Sequence, residues 1–87
     1  MPASQKEALN RLATIEGHLK GIRRMIEEDA YCVDILKQTY AVQRAIDKLD
    51  DVLLQGHLSA CVPEGIAEGR SDEVLAELGE LFALARR

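Results

Sequence analysis

The chain has 87 residues, 47% of them hydrophobic, and a formal net charge of −4. This length and apolar fraction fit a single globular domain, residues 1–87, and exclude a disordered chain. Only three residues are aromatic, so the core must be aliphatic, which favours packed helices over a sheet sandwich.

The first predicted helix covers residues 4–28. Ser4 and Glu7 have the spacing of a capping box, which satisfies free amides of the first turn. Apolar residues then recur at three- and four-residue steps, as in one face of an amphipathic helix. They are Leu9, Leu12, Ile15, Leu19, Ile22 and Ile26.

The second predicted helix, residues 31–62, is longer. Its apolar stripe contains Ile35, Thr39, Val42, Ile46, Leu49 and Leu53. We expect it to end at Pro63, because the residue before a proline avoids the helical region. A turn over residues 63–70 would follow. Ser71 is placed to cap a third helix over residues 71–86.

The sequence therefore predicts an all-α fold with three helices per chain. The helices are too long, and lack the short turn, for a helix-turn-helix. We also expect no enzymatic activity, because no nucleophile with a paired base, no acid pair and no cofactor loop is evident.

Two cysteines stand in a chain that we expect to be cytoplasmic. No hydrophobic run approaches the roughly 18 residues of a membrane span, and the N-terminus lacks an apolar signal core. In a reducing compartment, Cys32 and Cys61 are thiols available for metal or redox chemistry.

His57 and Cys61 are four residues apart on the second helix, so their side chains share a face. One imidazole and one thiolate favour Cu(I), Zn(II) or a similar soft ion. Cys32 lies 25 residues before His57, roughly 38 Å away along a helix, and cannot reach it within one chain. Two antiparallel copies would bring each Cys32 to the partner's pair and form two equivalent sites. Alternatively, both cysteines are packing residues of a helical dimerisation module.

Several segments resemble the CsoR/RcnR/FrmR family of metal-sensing repressors, and together they cover nearly the whole chain. They are residues 8–12, 16–22, 24–26, 29–38, 41–43 and 56–58, with Cys61. The resemblance implies a four-helix dimer core, usually paired into a tetramer. It also implies binding to operator DNA without metal and release when an inducer binds.

The copper-sensing (CsoR) branch of this family carries Cys, His and Cys, which Cys32, His57 and Cys61 match in type and spacing. The resemblance thus implies a Cu(I)-responsive repressor. The alternatives are a sensor of nickel, zinc or formaldehyde, or a helical Cu(I) buffer or chaperone without a DNA role. The nickel branch has His where Cys61 stands, and the formaldehyde branch pairs its Cys with an N-terminal Pro, a role open to Pro2.

Further roles follow from the same resemblance. Tyr31 and Glu77 are similar to copper-branch residues that couple metal occupancy to the surrounding helices. Arg11 and Lys48 match basic positions implicated in operator binding. Lys37, Arg44 and Lys48 share one face of the second helix, and we expect these four basic residues to contact DNA, although solvated charge is the usual fate of such side chains.

Overall fold

The structure, a computed structural model, describes residues 5–86. Pro2 and the predicted capping residue Ser4 lie outside the described residues. Helix α1 spans Gln5–Glu27 and α2 spans Cys32–Gly56; a π-helical segment, His57–Cys61, leads into α3, Val62–Ala67, and α4 spans Ser71–Ala85. Since α2, the π segment and α3 follow one another without a break, the chain has three helical bodies and, over residues 5–86, no strand. The prediction of an all-α fold is confirmed.

The predicted end of the second helix at Pro63 is wrong, because the helical path continues to Ala67. The π segment explains how. The amide of Val62 donates to the carbonyl of His57, five residues back, so the turn is wider than in an α-helix. Pro63 then lies in the first turn of α3. It has no amide hydrogen to donate into the π segment, yet the helical path continues past it.

A Schellman turn ends α1. The amide of Ala30 donates to the carbonyl of Met25 at 2.9 Å, and that of Asp29 donates to the carbonyl of Ile26 at 3.1 Å. Asp29 has φ 57°, a left-handed conformation that aspartate tolerates better than most residues but glycine adopts freely. The turn reverses the chain, so that α2 packs antiparallel against α1.

The α1–α2 pair holds the core. Ile15, Ile22 and Val42 are buried together, and Ile35, Ala45 and Leu49 pack against them. A hydrogen bond of 2.7 Å between Nε2 of His18 and Oε1 of Gln38 also joins the two helices. Since a glutamine oxygen only accepts, His18 donates here, which gives this histidine a structural role.

Much apolar surface remains outside this core. The exposed large side chains include Leu9, Leu12, Leu19 and Ile26 on α1, Leu36, Tyr40 and Ile46 on α2, and Phe82 and Leu84 on α4. Large apolar side chains exposed in this number are typical of surfaces that associate. The dimer and tetramer implied by the resemblance involve further chains and stay predictions. None of the described helices is long and apolar enough to cross a membrane.

Helix α4 is attached through α3, the one described helix that it contacts. The amide of Arg70 donates to the carbonyl of Gly65 at 2.8 Å and that of Gly69 to Ile66 at 3.1 Å, while Gly69 takes a φ of 80°. This second Schellman turn folds α4 back, so that Val74 packs on Gly65. Gly65 is buried, and a Cβ atom there would lie 2.5 Å from Cγ2 of Val74.

Candidate metal centre and basic pocket

The three predicted metal ligands lie at the two ends of one long helical body. Cys32 is the first residue of α2 and is exposed. His57 and Cys61 are the first and last residues of the π segment, and both are half-buried. Within residues 5–86 of one chain, no group of three His, Cys, Asp or Glu residues is placed to hold a metal ion. One chain therefore brings His57 and Cys61 together and leaves Cys32 roughly 38 Å away.

Cys32 and His57 share a face of this helical body. At 3.6 residues per turn, His57 follows Cys32 by about seven whole turns. Cys61 follows His57 by four residues within the π segment, whose turn is wider, so it lies within about one turn of His57. The face of Cys32 lies roughly a quarter turn from Val42, which faces α1.

The residues present fit a soft metal ion. Cys32 and Cys61 are both free cysteines, and thiolates with one imidazole are the donors that Cu(I) prefers. Nε2 of His57 is buried and has no hydrogen-bond partner among residues 5–86. Leaving such an atom unpaired costs about 1–3 kcal/mol. A metal ion or a group from another chain would remove this cost.

Tyr31 and Glu77 are not brought to His57 within one chain. Tyr31 immediately precedes α2, at the end opposite His57, and is 69% exposed. Glu77 is exposed on α4, which packs on α3 rather than on α2 or the π segment. Any contact of either residue with a His57 ring would thus involve a rearranged α4 or a second chain.

Glu77 does act on Arg70, at the junction of α3 and α4. The pKa of Arg70 is raised by a hydrogen bond and the negative charge of Glu68, and further by the charges of Glu73 and Glu77. The Arg70–Glu68 ion pair measures 2.7 Å between Nη2 and Oε1. Carboxylates of α4 thereby reach the turn that joins it to α3.

Three of the four predicted DNA-contacting residues line one pocket between α1 and α2, which we call the basic pocket. Its volume is about 400 Å³. Its lining residues are Arg11, Thr14, Ala41, Arg44, Ala45 and Lys48. Lys37 does not line it and is exposed about two turns before Arg44 on α2.

Arg11 is the best-anchored cation of the basic pocket. Its Nη2 lies 3.4 Å from Oε1 of Glu7, one turn earlier on α1. Its Nε is buried and has no hydrogen-bond partner in the described part of the chain. Glu7 was predicted only as a capping residue, although its four-residue spacing from Arg11 is typical of an ion pair on a helix.

Comparison with known proteins identifies the family. Residues 4–84 match the family described as metal-sensitive transcriptional repressor. The chain belongs to this family. Members of the family are repressors rather than enzymes, in agreement with the absence of catalytic motifs from the sequence.

Three relatives of this family member are informative. The chain is 44% identical over 78 residues to the copper-sensing transcriptional repressor CsoR of Mycobacterium tuberculosis H37Rv, covering 90% of this chain and 66% of the relative. Crystalline CsoR with Cu(I) from Geobacillus thermodenitrificans matches with a TM-score of 0.88 and 33% identity, covering 100% of this chain and 94% of the other. The nickel-responsive transcriptional regulator InrS matches with a TM-score of 0.74 and 37% identity, covering 99% and 94%.

The match spans 66% of the length of the mycobacterial relative. Residues 4–84, which match the family, contain α1, α2 and the π segment, with all three candidate metal ligands.

Proposed function

We propose that this chain is a Cu(I)-responsive transcriptional repressor that binds operator DNA without metal and releases it when Cu(I) binds. The site would combine Cys32 of one chain with the partner's His57 and the partner's Cys61. One observation carries this proposal: Cys32 begins α2, whereas His57 and Cys61 lie in the π segment beyond its other end, too far away to meet Cys32 within one chain. An antiparallel second chain would complete the set of soft donors.

The donor set favours copper over the other candidate inducers. Two thiolates and one imidazole give the low-coordinate, sulfur-rich site that suits Cu(I). The relative from M. tuberculosis is named as a copper sensor, and the Geobacillus structure contains Cu(I). The match to the nickel-responsive InrS is a reason to include Ni(II) in the tests.

Ligand binding would change the protonation and freedom of these side chains. Cys32 and Cys61 must lose their thiol protons, so affinity for Cu(I) should rise with pH. His57 would use one ring nitrogen as a ligand and keep the other for an outer hydrogen bond. Tyr31 or Glu77 is the proposed partner of that second nitrogen, and the shifted position of α4 that results would be the state with lower affinity for DNA.

The two binding events oppose each other by thermodynamic linkage. If the Cu(I)-bound form has lower affinity for DNA, DNA must lower the affinity for Cu(I) by the same factor. A Cu(I) buffer without a DNA role would show no such coupling. This difference separates the two functions in one titration.

The proposed DNA contacts are basic side chains on helix faces. Arg11, Arg44 and Lys48 surround the basic pocket, and Lys37 extends the same side of α2. If each contacts a backbone phosphate, replacing it by alanine should reduce the slope of log K against log salt by about one. Lys20→Ala, on α1 away from the pocket lining, is the matched control and should leave the slope unchanged.

We further propose that the protein acts in the cytoplasm as a dimer or a dimer of dimers. A repressor must reach DNA, and association would cover exposed side chains such as Leu36 and Tyr40. The predicted reducing surroundings would keep both thiols free for metal.

The functional test is an anaerobic titration of the protein bound to fluorescent DNA from upstream of its own gene. Cu(I) should release the DNA, and X-ray absorption should report sulfur and nitrogen donors in a site of low coordination number. Cys61→Ala should abolish release, whereas Ser59→Ala, in the same π segment, should not. Release by Ni(II), Zn(II) or formaldehyde but not by Cu(I) would contradict the copper assignment, and failure to bind the DNA at all would contradict the repressor role.

A further inference from the structure

We propose that the basic pocket is a specific site for one phosphate-bearing anion, which is either a DNA backbone phosphate or a free diphosphate. We further propose that Glu7 competes with that anion for Arg11. If the bound phosphate belongs to DNA, this inference rests on the proposed function. If the bound anion is a free diphosphate, the inference is independent of that function. Free diphosphate would then be an inhibitor of DNA binding that acts independently of metal.

The charge of the basic pocket is concentrated and mostly unpaired. Arg11, Arg44 and Lys48 line it together in a chain whose net charge is −4. Within residues 5–86, Glu7 is the one carboxylate paired with any of the three. The lining itself thus holds three cations and no carboxylate, and such a concentration of positive charge attracts an anion carrying two or more negative charges.

The shape of the basic pocket suits a compact polyanion. Ala41 and Ala45, one turn apart on α2, leave the space between the cations open. At about 30 Å³ per water molecule, the volume of about 400 Å³ is enough for a diphosphate with its remaining hydration. Two guanidinium groups can bind phosphate oxygens in a bidentate manner, and Lys48 adds a point charge.

Two features of Arg11 indicate that it is available to an anion. Its distance of 3.4 Å from Glu7 is longer than the 2.7–2.9 Å typical of a strong charge-assisted hydrogen bond. Its buried Nε has no partner among the described residues, and an unpaired buried donor favours the binding of an acceptor. Glu7 thus neutralises part of the charge of Arg11 without satisfying its hydrogen-bonding capacity.

The first experiment uses the metal-free, full-length protein without DNA. Pyrophosphate is titrated calorimetrically at constant ionic strength, and we expect saturable binding of one anion per chain. Arg44→Ala and Lys48→Ala should each weaken binding roughly tenfold or more, since each removes a charge-assisted hydrogen bond. Glu7→Gln should tighten binding several-fold, because the internal competitor becomes neutral.

Two variants separate a built pocket from general positive charge. Ala41→Leu fills the basic pocket and leaves every charge in place, and it should weaken pyrophosphate binding as strongly as Arg44→Ala. Lys20→Ala removes a positive charge from α1 outside the pocket and should bind pyrophosphate as the wild type does. Circular dichroism checks that each variant is folded. Wild-type affinity in Ala41→Leu, or an equal loss in Lys20→Ala, would overturn the proposal.

A second experiment identifies the source of the phosphate. Pyrophosphate should displace DNA from the wild type at concentrations where chloride of equal ionic strength does not, and Ala41→Leu should be insensitive to it. Pyrophosphate binding without displacement would overturn the DNA part of the inference. If the pocket variants lose DNA binding but the wild type binds no pyrophosphate, the proposal that the pocket binds a free diphosphate would be overturned. Failure of the copper response leaves the DNA-free titration unaffected, so the two proposals can fail separately.

Discussion

Replacing Gly65 by alanine tests the close approach of α3 and α4. The new Cβ atom would lie 2.5 Å from Cγ2 of Val74, whereas carbon atoms pack at about 3.5–4.0 Å. Val74 is 3% exposed, so its methyl group cannot turn into solvent. One of the two helices must therefore move by about 1 Å.

The magnitude follows from two opposing contributions. Forcing an extra methyl group into a packed interface costs about 1–3 kcal/mol, and exchanging glycine for alanine in a helix stabilises by about 0.8–1 kcal/mol. Gly79→Ala, in α4, isolates the second contribution because nothing lies within 4 Å of its Cβ position. The free energies of unfolding of the two variants should thus differ by about 1–3 kcal/mol, with Gly65→Ala the less stable.

Urea unfolding followed by circular dichroism measures this difference. All samples need the same protein concentration, because the stability of an oligomer depends on it. If Gly65→Ala were as stable as Gly79→Ala, the described approach of α3 to α4 would be incorrect. The way in which α4 is joined to the metal-bearing helical body would then need revision.

Three further variants test other parts of the fold. Asp29→Gly should stabilise the protein by about 0.5–1 kcal/mol in thermal unfolding, since glycine adopts the observed φ of 57° without strain; a loss of stability would contradict the left-handed turn. Ile15→Ala should destabilise by about 2–5 kcal/mol in urea, because Ile15 is buried in the α1–α2 core; a change below 1 kcal/mol would contradict that burial. Gln38→Ala should cost about 0.5–1.5 kcal/mol by removing the hydrogen bond to His18, and unchanged unfolding would show that this bond contributes nothing.

The helices could be predicted from the sequence because the patterns that indicate them are local. The apolar periodicity that contains Ile15 and Val42 predicts the α-class. Other residues of the same stripes, such as Leu19 and Ile46, are exposed rather than buried between α1 and α2. The continuation of the second helical body past Pro63 could not be predicted from the sequence. It depends on a π turn at His57–Cys61, and local preference alone places a helix end before proline.

The two candidate sites differ in how much the sequence reveals. Residue types and spacing alone identify His57 and Cys61 as a pair of donors on one helix face and Cys32 as a third donor too far away along the helix to join them within one chain. The basic pocket required the structure, since the grouping of Arg11 with Arg44 and Lys48 depends on the packing of α1 against α2. Helical spacing alone predicts that Lys48 shares a face of α2 with Lys37, yet Lys37 does not line the basic pocket.

The central claim is that each metal site is shared between two chains, and subunit mixing tests it most directly. Cys32→Ala and Cys61→Ala should each lose tight Cu(I) binding as pure dimers. After the two variants are unfolded together and refolded, each mixed dimer should contain one intact site, formed by Cys32 of one chain with the partner's His57 and the partner's Cys61. With random pairing, tight binding should return to about a quarter of the wild-type stoichiometry per chain. No recovery, despite confirmed formation of mixed dimers, would contradict a shared site.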